Sequence, residues 1–554
     1  MTEVTMLSQL LLRSRLFISL ALIVLVTSLA SCSKSEPDTD KSAAVTQQIL
    51  HVNNVLEPQD LDPQITTGLP EHYIQSSLFE GLVSKDPQTL EPVPAVAESW
   101  EISDDLTRYV FHIRKNMHWS NGEPITARDV VYSWKRLLMP KLASEYAYML
   151  EAVVNARAFN KGEFTDFSSV GVKALDDYTL EVTLNRPTPY FLQMLDHNST
   201  YLVPQKTIES FGKIDDRGTK WTRPENIVSN GPFKLQEWTP NKVIVVERNP
   251  AYWDARAVKL DEVHYYTVDN KQTEERMFRT GQIDMTLDGQ ILTDKIEIYQ
   301  KEQPDHIRLT PFLGTYYYLF NTTRPPFDNV LVRRAFSMAI DRESITKNVV
   351  KGGRTPATAF TAPGIDGYTP RANVHFDPIM AKQLLAEAGY PDGKGFPAVS
   401  ILYNTHNTHR NVATTLQQMW KEILNVDITL INQEWKVYLN SRETGDFDIA
   451  RAGWLADFAD PTSFLDMFVS GNGNNHTGWS NTQYDRLIQQ ANQTANQNER
   501  FELFQQAEQI LIDESPVAPI YYEMSANLVN PRVKGVYPNA LTYYPFKSVY
   551  LSDD

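Results

Sequence analysis

The 554-residue chain has one cysteine, which excludes an intramolecular disulfide, a CxxC redox pair and a multi-cysteine zinc site. Positive charge is in deficit: 52 Lys and Arg face 68 Asp and Glu, a formal charge of −16. Such a surface repels phosphate backbones, so nucleic acid is a poor partner. No stretch after residue 33 is long and apolar enough to span a bilayer. The G-x-S-x-G elbow, the Walker loop and the H-E-x-x-H zinc motif are all missing. The glycine-rich stretch 471–475 has neither a lysine nor a following helix, and reads as a surface loop. His406 and His409 lack a nearby carboxylate to complete a metal site, and a loop or helix-start role explains them equally well. Acid pairs such as Asp460 with Asp466 read as ordinary solvated positions. Nothing here demands catalysis, a metal or a cofactor.

What is present supports a large packed protein. Hydrophobic residues make up 42% and charged ones 22%, and the length corresponds to three or four domains at about 150 residues each. The 10 Trp, 26 Tyr and 24 Phe supply material for a core or for ligand-gripping walls.

The cysteine has a telling position. Arg13 and Arg15 precede an uncharged run at 16–33, the form of an export signal. The run ends Leu29-Ala30-Ser31-Cys32, which resembles the bacterial lipobox. That reading gives a signal at 1–31, a lipidated Cys32 and a polar tether through residue 46, with the protein held on a membrane by acyl chains. A plain cleaved signal or a retained signal anchor remains the alternative.

Alternating apolar patterns predict strands at 48–53, 107–113, 178–184 and 243–247. Helical spacing appears at Val332, Ala335, Phe336 and Ala339, with Asp328 or Asn329 as the cap. It recurs at Ala381, Leu384, Leu385 and Ala388, ahead of Gly389. Residues 399–457 read β-α-β-α-β, the pattern of a parallel sheet whose ligands sit past the carboxyl ends of its strands. His406 and His409 follow the first of these strands, and Trp454 and Asp457 follow the last.

The segment DIARAGWLADFADPTSFL (448–465) resembles the ligand-site segment of oligopeptide-binding proteins, the extracytoplasmic receptors of peptide ABC transporters. Collinear matches extend through LDPQITTGLPEHYIQSSLFEGL (61–82), VPAVAESW (93–100), WSNGEPITARDVVYSWKR (119–136) and VSNGPFKLQEW (228–238). They continue in TYYYLFN (315–321), RRAFSMAIDR (333–342) and INQEWKVYL (431–439). The resemblance implies an α/β, periplasmic-binding-protein-like fold with an extra domain, whose two lobes close on a buried ligand. Its domains transfer as 47–79 with 205–311 and 525–554, then 80–204, then 312–524.

It also implies site roles. Asp457 pairs with a peptide's α-ammonium, and Arg451, Arg442 and His409 meet its carboxylate at different ligand lengths. The backbone at Leu69, Gly453 and Leu455 pairs with the extended peptide. Trp435, Trp454, Tyr146 and Tyr317 line side-chain compartments. The sequence departs from relatives at Thr67, where an acid is common, and at Glu523, which ends a tyrosine run and is read as favouring a basic ligand side chain. Gly314 and Leu455 stand where some members carry a cysteine pair. The implied protein is a monomeric, non-enzymatic, periplasmic lipoprotein that delivers short peptides to a membrane permease. Receptors for murein peptides, dipeptides or another small ligand are alternatives, and a secreted hydrolase or chaperone on the same fold is a further one.

Overall fold

The computed structural model describes residues 47–552, apart from the side chains of Trp435 and Lys436. The export signal, Cys32, the tether and the ring of Trp435 therefore lie outside the described residues. Among those described, no helix is long and apolar enough to cross a membrane.

The strand patterns fall where alternation predicts them: Ile49–Asn53, Arg108–Ile113, Thr179–Thr183 and Val243–Arg248. Ile49–Asn53 is the second strand of a five-stranded sheet, parallel to both Glu262–Tyr266 and Met285–Thr286. Its upstream neighbour Gln48 hydrogen-bonds Asp261 and the Leu551 backbone, tying the two ends of the described chain together. Residues 97–183 supply a separate four-stranded antiparallel sheet.

The third sheet carries the site. Its strands are β1 (Ile307–Phe320), β2 (Thr355–Pro356), β3 (Val399–Asn404), β4 (Ile428–Gln433), β5 (Ile449–Leu455) and β6 (Val517–Leu528), in the order β2-β6-β1-β5-β3-β4. The β-α-β-α-β reading is borne out: β3 is parallel to β4 and to β5, with helices α1 (Asn407–Leu424) and α2 (Trp435–Glu443) between them. The hydrophobic face of α1, with Val412, Leu416 and Trp420, packs against Tyr316 and Ile401 in one core. Each such buried side chain contributes roughly 1.5–3 kcal/mol. Trp420 Nε1 donates to the Phe336 carbonyl at 2.9 Å, so its burial leaves no polar orphan. Asn329, one of the two predicted caps, accepts from the Leu331 N–H at 2.9 Å.

Strands β1 and β6 are long and cross the sequence-assigned domain boundary. Their first section pairs Ile307–Pro311 with residues 524–528, and their second pairs Thr315 onward with residues 517–522. A register shift separates the two sections, between Pro311 and Thr315. Both cores on either side of the sheet draw on β1, because alternate residues face opposite ways: Tyr316 and Tyr318 into one, Tyr317 and Leu319 into the other.

Candidate functional site

Strand β5 pairs with β1 along its whole length, Ile449 to Leu455 against Phe320 to Gly314. On its other edge β3 reaches only Ile449 and Ala450. Beyond Ala450 that edge has no strand partner among the described residues. The Ala456 N–H donates to the Leu313 carbonyl at 2.8 Å. Antiparallel alternation then directs Trp454 and Ala452 toward β1, and turns the backbone groups of Arg451, Gly453 and Leu455 outward. The Arg451 carbonyl accepts from the Tyr438 hydroxyl. Gly453 and Leu455 are exposed. Leu69, at the start of helix Leu69–Leu78, borders the same 230 Å³ cavity as Leu455. The two predicted backbone-pairing regions are thus brought to one cleft.

Asp457 follows β5 directly. Its N–H donates to Ser463 Oγ at 3.0 Å, which fixes the turn. Its carboxylate accepts from the Tyr148 hydroxyl at 2.9 Å and forms no ion pair among the described residues. Burial pushes its pKa up, and the Tyr148 bond only partly opposes this. Asp457 borders both the 230 Å³ cavity and a larger one of 610 Å³. Trp454 lines the larger, its indole N–H donating to the Ser463 carbonyl. Tyr146 lines the smaller, its ring 4.2 Å from that of His197. Thr67 borders this smaller cavity too.

The expected carboxylate partners gather at the other end of β5. The Arg451 guanidinium lies 4.7 Å from the Tyr316 ring centre and donates to Asn404 Oδ1 at 3.4 Å. Arg442 lies 5.7 Å from the Tyr438 ring centre. Neither arginine forms an ion pair among the described residues, and the Nε of each is buried with no hydrogen-bond partner. His409 Nδ1 meets the Tyr316 hydroxyl at 3.1 Å. Burial, then Arg451 and His406, push the His409 pKa down to about 2, so His409 is a neutral hydrogen-bonding neighbour rather than a cation. His406 caps α1 by accepting from the Thr408 N–H. Among the described residues no His, Cys, Asp and Glu cluster suits a metal ion.

Two expected wall residues sit differently from the rest. Tyr317 is 3% exposed, edge-on to Phe360 in the core beneath the cleft, because its strand is covered on both faces. Glu523 pairs with Arg354 at 3.2 Å, so its charge is already neutralised within the protein. Gly314 and Leu455 are direct register partners, and a Cβ at Gly314 would stand 2.6 Å from Leu455 Cδ2. Tyr148, Ser463, Arg354 and the loop Gly471 to Asn474 also build the site, the loop by lining the larger cavity. Tyr148 and Ser463 have only proximity to predicted residues as a sequence signal, the loop has its glycines, and Arg354 has none.

An α/β protein in which part of one strand's edge lies unpaired beside an acid without an ion pair, in a cleft lined from distant segments, fits the class of bilobed solute-binding proteins. Residues 91–476 match the model for bacterial extracellular solute-binding proteins, family 5 (middle region), and the chain belongs to that family. It is 41% identical to the periplasmic oligopeptide-binding protein OppA of Salmonella typhimurium, covering 88% of this chain and 90% of that one. It is 38% identical to the probable deoxycholate-binding periplasmic protein YgiS of Escherichia coli, covering 91% of this chain and 94% of that one. The solved structure of the Escherichia coli murein tripeptide binding protein MppA superposes with a TM-score of 0.79 at 35% identity, covering 92% of this chain and 99% of that one.

Proposed function

We propose that the chain is an extracytoplasmic receptor that binds short oligopeptides and delivers them to the membrane permease of an ABC transporter. The observation that carries this is the pairing of an ion-pair-free carboxylate, Asp457, with the open edge of β5 beside it. A peptide supplies what both lack. Its α-ammonium neutralises Asp457, and its backbone adds a strand along Gly453 and Leu455, a mode that ignores ligand side chains. Arg451 and Arg442 then take the carboxylate at different ligand lengths, since a guanidinium fork matches carboxylate oxygens. Contacts from both lobes shift an open–closed equilibrium, and the peptide leaves intact. Cys32 is the proposed lipid attachment, checked by the mass of the amino-terminal peptide from membrane-purified protein.

Calorimetry with an Ala tripeptide, its N-acetylated form and deoxycholate tests the ligand class. Tight 1:1 binding of the free tripeptide alone is the expected result. Binding of deoxycholate with no response to either peptide overturns it, since that steroid offers no ammonium to Asp457. A murein tripeptide preferred over alanine peptides makes the protein a receptor specialised for cell-wall fragments. Appearance of free amino acids on long incubation identifies a hydrolase.

A further inference from the structure

Beside the cleft lies a small apolar cluster that belongs to none of the larger cores. The short helix Phe191–Met194 follows the four-stranded sheet and divides its side chains by helical spacing. Phe191 and Leu195 enter the core under that sheet, whereas Tyr190 and Met194, also four apart, join the separate cluster. Met149 joins them, next to Leu150, which again lies in the sheet's core. Phe458 completes the cluster from the other side, just beyond β5 and Asp457. Its ring stacks on that of Tyr190, with centres 5.3 Å apart and an interplanar angle of 4°. Phe458 is 6% exposed and Tyr190 4%.

Polar contacts flank the stack. The Tyr148 hydroxyl donates to Asp457, the neighbour of Phe458. Arg500 bridges both carboxylate oxygens of Asp460, and its guanidinium lies 5.0 Å from the Tyr190 ring centre. Arg500 stands on helix Gln497–Glu514, whose Phe504 is in a core of the third sheet. The stretch 457–460 therefore meets the segment that builds the four-stranded sheet through a hydrogen bond, a ring stack and a cation over a ring. Each of these contacts joins two groups of the chain itself, with no ligand atom between them. Separating the lobes returns the faces of Phe458, Tyr190, Met149 and Met194 to water, which is unfavourable. The two methionines suit a surface that is made and broken, because their flexible thioethers repack readily.

We infer that Phe458 and Tyr190 form a clasp that holds the lobes together independently of the peptide and sets the closed fraction of the protein. This rests on the peptide-receptor reading and adds to it the source of part of the closing energy. When only the closed form binds tightly, the apparent dissociation constant is the closed-form constant divided by the closed fraction. Weakening the clasp then lowers the affinity for every peptide by one factor and leaves selectivity alone.

The test uses the full mature chain carrying Cys32→Ser, which removes the proposed lipid. Calorimetry with Ala-Ala-Ala, Lys-Ala-Ala and Ala-Phe-Ala reads affinity, and small-angle scattering without peptide reads lobe separation. Phe458→Ala and Tyr190→Ala are each expected to weaken all three peptides by a common factor of about 5- to 30-fold. The ligand-free radius of gyration is expected to rise in both variants and to return to the wild-type closed value at saturating peptide. Tyr190→Phe keeps the stack and is expected to stay within about 2-fold of wild type. The double variant is expected to lose little beyond the larger single loss, because both residues serve one contact. Unchanged affinity in Tyr190→Ala, unequal losses among the three peptides, or losses that multiply in the double variant overturn the clasp and leave the receptor in place. Failure of all three peptides to bind wild type overturns the receptor reading, while ligand-free scattering still decides whether the stack holds the lobes.

Discussion

Tyr148 and Asp457, 309 residues apart in sequence, share a hydrogen bond of 2.9 Å across the cleft. The tyrosine comes from the segment that builds the four-stranded sheet, and the aspartate from the end of β5. The contact leaves the aspartate with a neutral donor where a cation is needed. Replacing Asp457 with Asn removes the countercharge for a ligand ammonium and keeps the shape. Tripeptide affinity is expected to fall by about 30- to 4,000-fold, read by calorimetry.

The same acid sets the pH dependence of binding. Its pKa is raised in the free protein and a bound ammonium lowers it, so binding below that raised pKa must expel a proton. Affinity is therefore expected to weaken as pH falls through the acid range, and Asp457→Asn should show a flatter profile. A titration series from pH 7 to pH 4 reads both slopes.

Backbone pairing at the open edge predicts sensitivity to ligand amides. Methylating the amide that faces Gly453 or Leu455 deletes one donor, and is expected to weaken binding roughly 3- to 10-fold whatever the side chains. Methylating an amide directed away from β5 should cost less, and a set of singly methylated tripeptides separates the two.

Asp466 carries a stability signature. Its folded pKa of about 6 lies above the ordinary carboxyl value, so the fold favours the protonated acid. The resulting stability is complete below the unfolded pKa and is lost as pH rises through about 6. Asp466→Asn removes that loss, a gain at pH 7.5 of up to about 3 kcal/mol. Thermal melts of the ligand-free protein should show variant and wild type close together at pH 4 and separating as pH rises.

The Gly314 and Leu455 register predicts an engineered bridge. These residues form a non-hydrogen-bonded pair, whose Cα separation of about 4.5 Å falls within disulfide range. Cysteines at both positions are expected to oxidise spontaneously, seen as loss of two hydrogens by mass spectrometry and a higher melting temperature that reductant reverses.

Much of this architecture was legible in the sequence because local periodicity dictates it. The parallel unit at 399–457 showed its strands and helices as separate apolar patterns, and its topology placed Asp457 and His409 at strand ends. Side-chain state was less legible. His409 reads as a cation until burial and Arg451 are seen to discharge it. Glu523 reads as a free acid until Arg354, 169 residues away, is found against it. Tyr317 and Tyr316 are adjacent in one run, yet the two faces of β1 send their rings into different cores. Asp466 reads as a solvated acid because nothing local reports that the chain encloses it. Long-range partners decide each of these cases, and no local pattern encodes them.

The strand Ile49–Asn53 has a consequence for how the protein is made. Gln48 beside it is bonded to Asp261, 213 residues on, and to Leu551, 503 residues on. Such contacts give the first sheet a high contact order, and loop-closure entropy must be met before they stabilise anything. The four-stranded sheet at 97–183 closes over far shorter spans. That sheet can assemble early in folding, while the opening strand stays unpaired until residues hundreds of positions away are in place.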